Sequence, residues 1–509
     1  MSTYYLTCAI DYPNGEPHLG HAFEKIGADC IARFKRLQGN EVFFTTGVDE
    51  NSLNVARTAR ELGSDPRTFV DEMSPKFNTL WQELNISSSA FVRTTDPQHI
   101  LAAQEFFRRA YENGDIYESR YEGWYCLACE SYYPDGDLVD QKCPVHETEP
   151  EWFSEENYFF ALSRYQERLL EHFDRNPDFV RPKFRKNEVV NFLKGGLKDF
   201  SVSREGAEWG IPVPLDESQV IYVWFDALVA YTTAVGFPDR SDLFTRWWPA
   251  DAHVIGKDIL RFHAIYWPAM LMAAGVDLPK SIVGHGWIDL DGKPMSKTTG
   301  TVIDPADVIK KYGVDPLRYY LLREVSFFRD GSFVWDNLDQ RYHRELGNDL
   351  GNLLNRTVSM IGRYRNSVLP MAGPDTDAEK ALKDSAKQAW QNVESKLEAW
   401  NFSDALTELW RLVAAANRYV DLTEPFKLAR DIEQAERVDT ILYNLAEALR
   451  SIALMLSPAA PETADKIMAQ IGHRPVTDGS WVSEKDWGQL SAGTAVPGGE
   501  PLFPRLELE

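Results

Sequence analysis

The stretch "PNGEPHLGHAFEKIGADCIARF", residues 13–34, decides how the first part of this chain folds. A β-prone run, "YYLTCAID" at residues 4–11, precedes it, and a second one, "EVFFTTG" at residues 41–47, follows it. Between Ile26 and Phe34, apolar residues recur at helical spacing. A strand, a helix and a strand in this order predict a parallel β-α-β unit with a right-handed crossover.

The composition is that of a folded globular protein. The chain has 509 residues, of which 44% are hydrophobic, and this length suits roughly two to four domains. Its net charge of −23 means that nucleic acid must meet local basic patches against a repulsive background. No apolar run approaches the length of a membrane span, the N-terminus lacks the pattern of a signal peptide, and five cysteines are too few for a disulfide scaffold. We therefore expect a cytoplasmic protein with no membrane partner.

The rest of the chain shows changes of pattern that suggest separate segments. Residues 50–112 predict amphipathic helices, whereas residues 117–216 are rich in loops, aromatic residues and cysteines. Residues 219–231 and residues 252–275 each read as a strand followed by a helix, so we expect them to complete the sheet. From about residue 337, long amphipathic patterns predict a helical bundle.

The first loop places two imidazoles where a helix begins. Ligands of doubly wound sheets bind at the carboxyl ends of the strands, and a helix N-terminus attracts phosphate. His18 and His21 share a helix face, and Gly20 would let a flat base approach the backbone. The alternative is that these histidines only cap the helix. Lys293 and Lys297, in the downstream loop "GKPMSKTTG", could neutralise a pyrophosphate or lie on a solvated loop.

Together, the two loops resemble the paired signatures of class I aminoacyl-tRNA synthetases. His-Leu-Gly-His after the first strand is similar to the HIGH signature, and "PMSKT" far downstream is similar to the KMSKS signature. Further segments resemble methionyl-tRNA synthetases, in family order and over nearly the whole chain. These segments are "TGVDEN", "YEGWYCLACE", "YVWFDALVAY", "HVIGKDILRFH" and "GNLLNRT".

The resemblance implies an α/β fold in which a Rossmann-like parallel sheet is split by a zinc-bearing insertion and followed by an all-α helical bundle. On this basis we expect five segments. They are residues 1–116, the first half of the sheet with the His-Leu-Gly-His motif; 117–216, the insertion with a zinc knuckle; 217–275, the second half of the sheet with the amino-acid pocket; 276–336, the KMSKS-like loop and stem-contact region; and 337–509, the anticodon-binding bundle.

Two predicted helices each present an aromatic and aliphatic face, which periodicity alone would assign to core packing. The faces consist of Trp224, Ala227, Leu228 and Tyr231 on the first helix and Ile259, His263 and Trp267 on the second. Asp258 is placed to cap the second helix. Because thioether–aromatic contacts contribute about 0.3–1.5 kcal/mol each, two such faces suit a long sulfur-bearing side chain.

The resemblance also implies roles for individual residues. The methionine pocket would consist of Tyr12, Trp224, Ala227, Leu228, Tyr231, Ile259 and His263, with Asp49 holding the α-ammonium group. The residues that contact ATP would be His18, Gly20, His21, Glu24, Gly256, Asp258, Ile288 and Lys297. Of these, His18, His21 and Lys297 are the expected catalytic residues.

The implied reaction is the ATP-dependent attachment of methionine to initiator and elongator tRNA(Met). The methionine carboxylate attacks the α-phosphate of ATP, which carries Mg²⁺, and gives methionyl-adenylate and pyrophosphate. A terminal ribose hydroxyl of the tRNA then attacks the acyl carbon. Positioning and charge stabilisation account for such a reaction without a side-chain nucleophile. We expect ATP, L-methionine and tRNA as partners of a monomeric chain.

Three cysteines and a histidine are spaced like the ligands of a metal ion. Cys126 and Cys129 form a C-x2-C pair, and after thirteen residues Cys143 and His146 form a C-x2-H pair. Four such ligands suit a closed, tetrahedral and structural Zn²⁺ site. The family's insertion carries one or two such knuckles, and this chain has ligands for one zinc ion. Its implied role is to hold the insertion over the acceptor end of tRNA.

Three residues in the helical part are expected to help read the anticodon. Asn352 and Arg356 share a helix face, and Phe426 on another helix could stack on a base. Asn352 could instead join two helices by a hydrogen bond, and Phe426 could be a core residue. The basic runs at residues 181–186 and 363–365 are candidate phosphate patches or solvated faces.

Some residues depart from the family's pattern. Pro294 replaces the first lysine of KMSKS, with Lys293 one place early, and Asn51 follows "VDE" where many relatives carry His-Gly. Two alternatives stay open: another class I aminoacyl-tRNA synthetase, or a synthetase paralogue that binds tRNA with weak or altered activity. The insertion is too short for the editing domain of leucine, isoleucine and valine enzymes. A cysteine enzyme would place its zinc in the amino-acid site.

Overall fold

A computed structural model gives the fold of the chain. It describes residues 2–126, 131–133, 136, 138–144, 148–206, 208–239, 241–290, 293–294 and 303–506. Among the helices of these residues, none combines the length and the apolar character that crossing a bilayer requires.

The strands are distributed over the first two thirds of the chain. They are β1 (Thr3–Cys8), β2 (Glu41–Val48), β3 (Ala90–Arg93), β4 (Ile116–Cys126), β5 (Ser131–Tyr133), β6 (Glu151–Phe160), β7 (Val180–Arg181), β8 (Phe200–Ser201), β9 (Ser203–Glu205), β10 (Pro212–Val213), β11 (Asp216–Ile221), β12 (Ala252–Gly256), β13 (Ile282–His285), β14 (Ile288–Leu290), β15 (Lys293–Pro294) and β16 (Gly331–Phe333).

The α-helices alternate with the strands at first and then follow one another to the C-terminal segment. They are α1 (Leu19–Leu37), α2 (Leu53–Glu61), α3 (Pro66–Glu83), α4 (Pro97–Glu112), α5 (Gln166–Arg175), α6 (Lys183–Lys194), α7 (Val223–Ala227), α8 (Ala230–Thr233), α9 (Ser241–Trp247), α10 (Trp267–Ala273), α11 (Pro305–Tyr312), α12 (Val314–Glu324), α13 (Trp335–Gln340), α14 (Asn352–Arg365), α15 (Asp377–Glu398), α16 (Phe402–Thr423), α17 (Pro425–Leu428), α18 (Ala435–Leu456), α19 (Pro461–Gln470) and α20 (Ser480–Ser483). Single turns of 3₁₀-helix lie at Leu162–Tyr165, Lys257–Ile259 and Ile432–Gln434, and π-helix lies at Phe262–Tyr266 and Arg341–Gly351.

The main sheet is parallel and has the strand order β3-β2-β1-β12-β13-β7. β1 lies between β2, which follows it through the crossover helix α1, and β12, which comes much later in the chain. The strand order therefore reverses at β1, and the crevice beyond the carboxyl ends of β1 and β12 is the expected place for a ligand. This part of the structure confirms the predicted Rossmann-like sheet, which a helical part follows.

Three short strands differ from the sequence-based expectation. β3 lies within residues 50–112, where helices were expected, and β7 lies within the range assigned to the insertion yet pairs with β13 of the main sheet. β11 joins a small antiparallel sheet of order β10-β11-β9 and not the main sheet. Strands of two to six residues carry too little periodicity to be recognised, and a short apolar run does not reveal its pairing partner.

The insertion is built on an antiparallel sheet of order β5-β4-β6-β8. β4 and β6 pair along ten positions, from Ile116 opposite Phe160 to Tyr125 opposite Glu151. The hairpin thus extends from a base near the main body to the cysteine-bearing end. Beyond the main sheet, β15-β14-β16 form a further small sheet.

The helical part packs directly on the α/β part. Its largest helices, α15, α16 and α18, pack against one another, and α16 also contacts α12. One buried apolar cluster runs from Leu6 and Phe34 in the α/β part to Leu409 and Leu449 in the bundle. The two parts therefore share a continuous core.

Within this shared core lies an ion pair that is removed from water. Arg318 on α12 donates to the Asp29 carboxylate on α1 at 2.6 Å, and neither side chain is exposed. The guanidinium also donates to the carbonyl oxygens of Ala459 and Leu84, at 3.0 Å each. Arg33 binds the same Asp29 oxygen at 2.7 Å. Because the guanidinium is fully hydrogen-bonded, its removal would leave several buried acceptors unpaired.

We predict that Arg318→Met lowers the stability of the whole chain. Breaking a buried ion pair by removing one partner costs about 3–5 kcal/mol, which in a chain of this size corresponds to a fall in Tm on the order of 5 °C. Differential scanning fluorimetry measures this change.

Arg57→Met is the matched control, because Arg57 forms an exposed ion pair with Glu61 within α2. Such surface pairs contribute about 0–1 kcal/mol. If both variants melted within about 1 °C of each other, the buried pair would not have the importance assigned to it here.

Candidate active site

A cavity of about 790 Å³ opens beyond the carboxyl ends of β1 and β12. Fifteen of the residues singled out from the sequence line it: Tyr12, His18, Gly20, His21, Glu24, Asp49, Trp224, Ala227, Leu228, Tyr231, Gly256, Asp258, Ile259, His263 and Ile288. They come from segments almost three hundred residues apart, so the fold brings the predicted site residues together. Lys297 lies outside the described residues.

His18 and His21 begin helix α1 and form its N-terminal cap. The Nδ1 atom of His18 accepts the Gly20 backbone N–H at 3.1 Å, and the Nδ1 atom of His21 accepts the His18 backbone N–H at 3.1 Å. The two rings stack with centroids 3.8 Å apart. Since Nδ1 accepts in both rings, the proton of each neutral imidazole lies on Nε2. The histidines therefore cap the helix and also line the cavity.

Two glycines leave space for polar side chains at the cavity wall. A Cβ atom on Gly256 would lie 2.5 Å from Asp258 Oδ1, and one on Gly20 would lie 3.0 Å from the His18 ring. The sequence suggested that Asp258 caps the following helix, but in the structure it does not. Its carboxylate instead accepts the Trp287 indole N–H at 3.0 Å. The cap was expected from residue type, but the absence of a side chain at Gly256 lets the carboxylate lie in another direction.

One end of the cavity is lined by aromatic side chains. The rings of Trp224 and Phe262 stack almost parallel, with centroids 3.9 Å apart. His263 Nδ1 lies 2.9 Å from the Ile259 carbonyl oxygen, which only accepts, so this nitrogen carries the proton. His263 Nε2 then accepts the Tyr231 hydroxyl at 2.7 Å. Burial lowers the pKa of His263 to about 4, so its imidazole is neutral near pH 7.

The predicted face of Ile259, His263 and Trp267 is divided in the structure. Ile259 and His263 line the cavity, whereas Trp267 is fully buried behind it and donates to His253 Nε2 at 3.2 Å. The cause is the π-helical turn Phe262–Tyr266, which shifts the residue spacing away from the regular α-helical period.

The segment that carries Asp49 is tied to the aromatic end of the cavity. The Asp49 backbone N–H donates to the Asp11 carbonyl oxygen at 2.8 Å. Asn51, two residues later, donates to the Asp226 carboxylate on α7 at 2.8 Å. The second Asp226 oxygen lies 2.5 Å from His99 Nε2, and all of these side chains are buried. Asn51 differs from the residue that many relatives carry, but its side chain is hydrogen-bonded within the structure.

Sequence reasoning missed several ionisable residues at the cavity. Lys25, Asp11 and His285 line it and contact one another or Glu24. A signal for Lys25 was present, because it lies seven residues after His18 and four after His21 and thus on the same face of α1. No comparable signal marks His285, whose position is fixed by the parallel pairing of β13 with β12.

Two of the four predicted metal ligands lie within the described residues. Cys126 and Cys143 are both buried and neither forms a disulfide. The Cys126 sulfur lies 3.6 Å from Thr148 Oγ1, and the Cys143 backbone N–H donates to the Thr148 carbonyl oxygen at 2.9 Å. Both cysteines thus lie beside the same residue. Cys129 and His146 lie outside the described residues.

The three expected anticodon residues are at least partly exposed. Asn352 is exposed on α14, Arg356 pairs with Asp421 of α16 at 3.2 Å, and Phe426 on α17 is 40% exposed. Phe426 is therefore not a core residue.

The two basic runs are partly used inside the protein. Lys186 donates to the carbonyl oxygens of Phe173 and Pro177, both at 3.0 Å, and Arg365 pairs with Asp439. Because these two side chains bind groups of the protein itself, fewer cations of either run are available to a phosphate backbone.

Family models and relatives agree with this arrangement. The model of the class I tRNA synthetases (M) matches residues 4–149 and 136–358, and that of the anticodon binding domain of methionyl tRNA ligase matches residues 369–509. Over its whole length the chain is 47% identical to the methionine--tRNA ligase of Caldanaerobacter subterraneus subsp. tengcongensis and spans 79% of that relative. It is 44% identical to the methionine--tRNA ligase of Streptomyces coelicolor, over 99% of this chain and 97% of that one.

Solved structures show the same similarity. The Mycobacterium tuberculosis methionyl-tRNA synthetase in complex with methionyl-adenylate superposes with a TM-score of 0.96 at 42% identity, over 99% of this chain and 100% of that one. The free form of the same enzyme gives a TM-score of 0.88 at 40% identity, over 100% and 99%. The chain therefore belongs to the methionyl-tRNA synthetase family of class I aminoacyl-tRNA synthetases.

Proposed function

We propose that the chain attaches methionine to tRNA(Met) in an ATP-dependent reaction through methionyl-adenylate. The observation that supports this proposal most is that one cavity has an aromatic end next to a helix N-terminus with two imidazoles. An amino acid at the aromatic end would present its carboxylate to a nucleotide at the helix end. Such proximity converts the encounter of two substrates into a reaction between neighbours.

On the amino-acid side, Tyr12, Trp224, Ala227, Leu228, Tyr231, Ile259 and His263 form the methionine pocket, and Asp49 binds the α-ammonium group. The neutral His263 and the Tyr231 hydroxyl that donates to it place no charge beside an apolar thioether. The Trp224 ring offers the polarisable surface that sulfur prefers. Asp49 is buried, and a carboxylate in such a place binds an ammonium group strongly.

On the nucleotide side, His18, Gly20, His21, Glu24, Gly256, Asp258, Ile288 and Lys297 contact ATP. The Nε2–H groups of His18 and His21 donate to the phosphates, where negative charge shifts as pyrophosphate leaves. The N-terminus of α1 adds its partial positive charge. Mg²⁺, bound to ATP, neutralises part of the phosphate charge. Lys297 binds the leaving pyrophosphate.

ATP–pyrophosphate exchange with a panel of amino acids tests this function. We expect kcat/KM for methionine to exceed that for leucine and cysteine by about 10- to 200-fold, the range that a hydrophobic pocket achieves for small differences in shape. If leucine or cysteine were preferred, the chain would be another class I synthetase. If no amino acid supported exchange but tRNA still bound, the chain would be a paralogue of altered activity.

We predict that Asp49→Asn raises the KM for methionine by about 10- to 100-fold, because a charge-assisted hydrogen bond contributes about 1.5–3 kcal/mol. The same exchange assay measures it. Asp377→Asn is the matched control, because Asp377 is fully exposed on α15. An Asp49→Asn enzyme with the KM of the Asp377→Asn enzyme would contradict the assigned role.

We further propose one structural Zn²⁺ ion in the insertion, held by Cys126, Cys129, Cys143 and His146. The two described cysteines fit this group, because both are buried and both are adjacent to Thr148. A closed Zn²⁺ site of this kind stabilises a small domain and takes no part in the chemistry. The ion would hold the end of the β4–β6 hairpin in place. The insertion could then contact the acceptor end of tRNA.

We predict that Cys143→Ser removes the bound zinc and lowers the protease resistance of the insertion, while the KM for ATP changes less than twofold. Mass spectrometry of metal content and limited proteolysis provide the measurements. Cys30→Ala, which changes a buried cysteine of α1 far along the chain, is the control and keeps its zinc. One zinc ion per chain in the Cys143→Ser protein would show that the ligand set is wrong.

For tRNA, we propose that Asn352, Arg356 and Phe426 contact the anticodon of both initiator and elongator tRNA(Met). Their exposure on α14 and α17 allows hydrogen bonds to base edges and stacking on a base. We also propose that the chain acts as a monomer and that its location is cytoplasmic.

A further inference from the structure

Lys25 is a fully buried lysine in the wall of the cavity. Its ammonium group lies 3.1 Å from the Ala9 carbonyl oxygen, 2.8 Å from Asp11 Oδ1 and 2.9 Å from Glu24 Oε1. The Trp81 ring covers it further, at 5.5 Å from the ring centroid. An ammonium group has three N–H bonds, and here each of them has an acceptor. Lys25 is therefore arranged to hold its neighbours and not to donate to a substrate.

The neighbours that Lys25 holds belong to both sides of the cavity. Asp11 follows β1, and its carbonyl oxygen accepts the backbone N–H of Asp49, the residue assigned to the α-ammonium group. Glu24 is assigned to ATP, and its other oxygen lies 2.9 Å from His285 Nε2. Lys25 thus joins the amino-acid side to the nucleotide side through one buried cation.

The charges of this cluster depend on that cation. Burial raises the pKa of Asp11 to about 7. The Lys25 ammonium lowers this pKa, and the negative charge of Glu24 raises it further. Burial would also raise the pKa of Glu24, but Lys25 and His285 outweigh it and hold that pKa below its usual value. Without Lys25, two carboxyl groups would face each other in a buried place, where both cannot remain ionised.

We infer that Lys25 is a positioning residue for the ligation reaction, which clamps Glu24 to the end of β1 and so fixes the nucleotide side of the cavity relative to the amino-acid side. This inference rests on the proposed function. The alternative is that the same contacts serve only the stability of the fold. The two possibilities differ in what happens when the opposing carboxyl group is removed as well.

The test compares Lys25→Met, Asp11→Asn and the double variant with the wild-type enzyme. We expect Lys25→Met to raise the KM for ATP by about tenfold or more in the exchange assay, at a temperature well below its Tm. The double variant lacks the clamp as well, so its KM for ATP should stay within about threefold of that of Lys25→Met, although removal of the opposing charge should restore part of its Tm. Lys35→Met is the control on the same helix, because Lys35 pairs with the half-exposed Glu398.

Each outcome separates the possibilities. A Lys25→Met enzyme with a lowered Tm but an unchanged KM for ATP would reduce Lys25 to a stabilising residue and overturn the inference. A double variant with the wild-type KM for ATP would do the same, because Glu24 would then be placed correctly without the clamp. Isothermal titration of ATP into each protein provides a readout independent of exchange. A wild-type protein without methionine-dependent exchange would instead refute the proposed function, while the ATP affinities would still decide the role of Lys25.

Discussion

The buried ion pair between Asp29 and Arg318 is the contact on which the relation between the two parts of the molecule depends. Two charges removed from water cost free energy unless their geometry and their other hydrogen bonds are nearly complete. Arg318 meets this condition only while α12, the Leu84 segment and the Ala459 segment keep their places around Asp29. Apolar surfaces can shift against each other at little cost, whereas the directional hydrogen bonds of this pair allow only one relative position of the sheet and the bundle.

Helix α1 connects this ion pair to the chemistry. Its N-terminus presents His18 and His21 to the cavity, its second turn carries Glu24 and Lys25, and Asp29 lies one turn further on. Polar residues buried along a single helix are costly one by one, but here each has a partner on a different strand, helix or loop. Helix α1 thus forms many of the hydrogen bonds and ion pairs of this region, while apolar side chains on its other faces provide most of the packing.

The sequence predicted those features that have long periods or strong local chemistry. The β1-α1-β2 unit and the helical bundle are found in the structure, and the residues of the Trp224 face line the cavity together with Ile259 and His263. It did not predict β3 and β7, because strands of four and two residues contain almost no periodicity.

The pattern within the site was predictable only in part, for local physical reasons. Trp267 was expected beside His263, but a π-helical turn rotates it into the core. Asp258 was expected to cap a helix, but its carboxylate accepts from Trp287. Lys25 escaped notice because a single lysine in a helix is usually solvated, and its burial becomes visible only when Asp11, Glu24 and Ala9 surround it.

The C-terminal end of α1 rests on the bundle. Phe34 packs edge-to-face on Trp481 with centroids 5.1 Å apart, and the Arg36 carbonyl oxygen accepts the Gly479 backbone N–H at 2.9 Å. Nineteen residues make a rod about 28 Å long, so a tilt of roughly 2° imposed at its far end moves the other end by about 1 Å. A misplacement of that size is enough to slow a reaction that relies on alignment. The contacts of α1 with Trp481 and Gly479 therefore contribute to the placement of the imidazole pair at the opposite end of the helix.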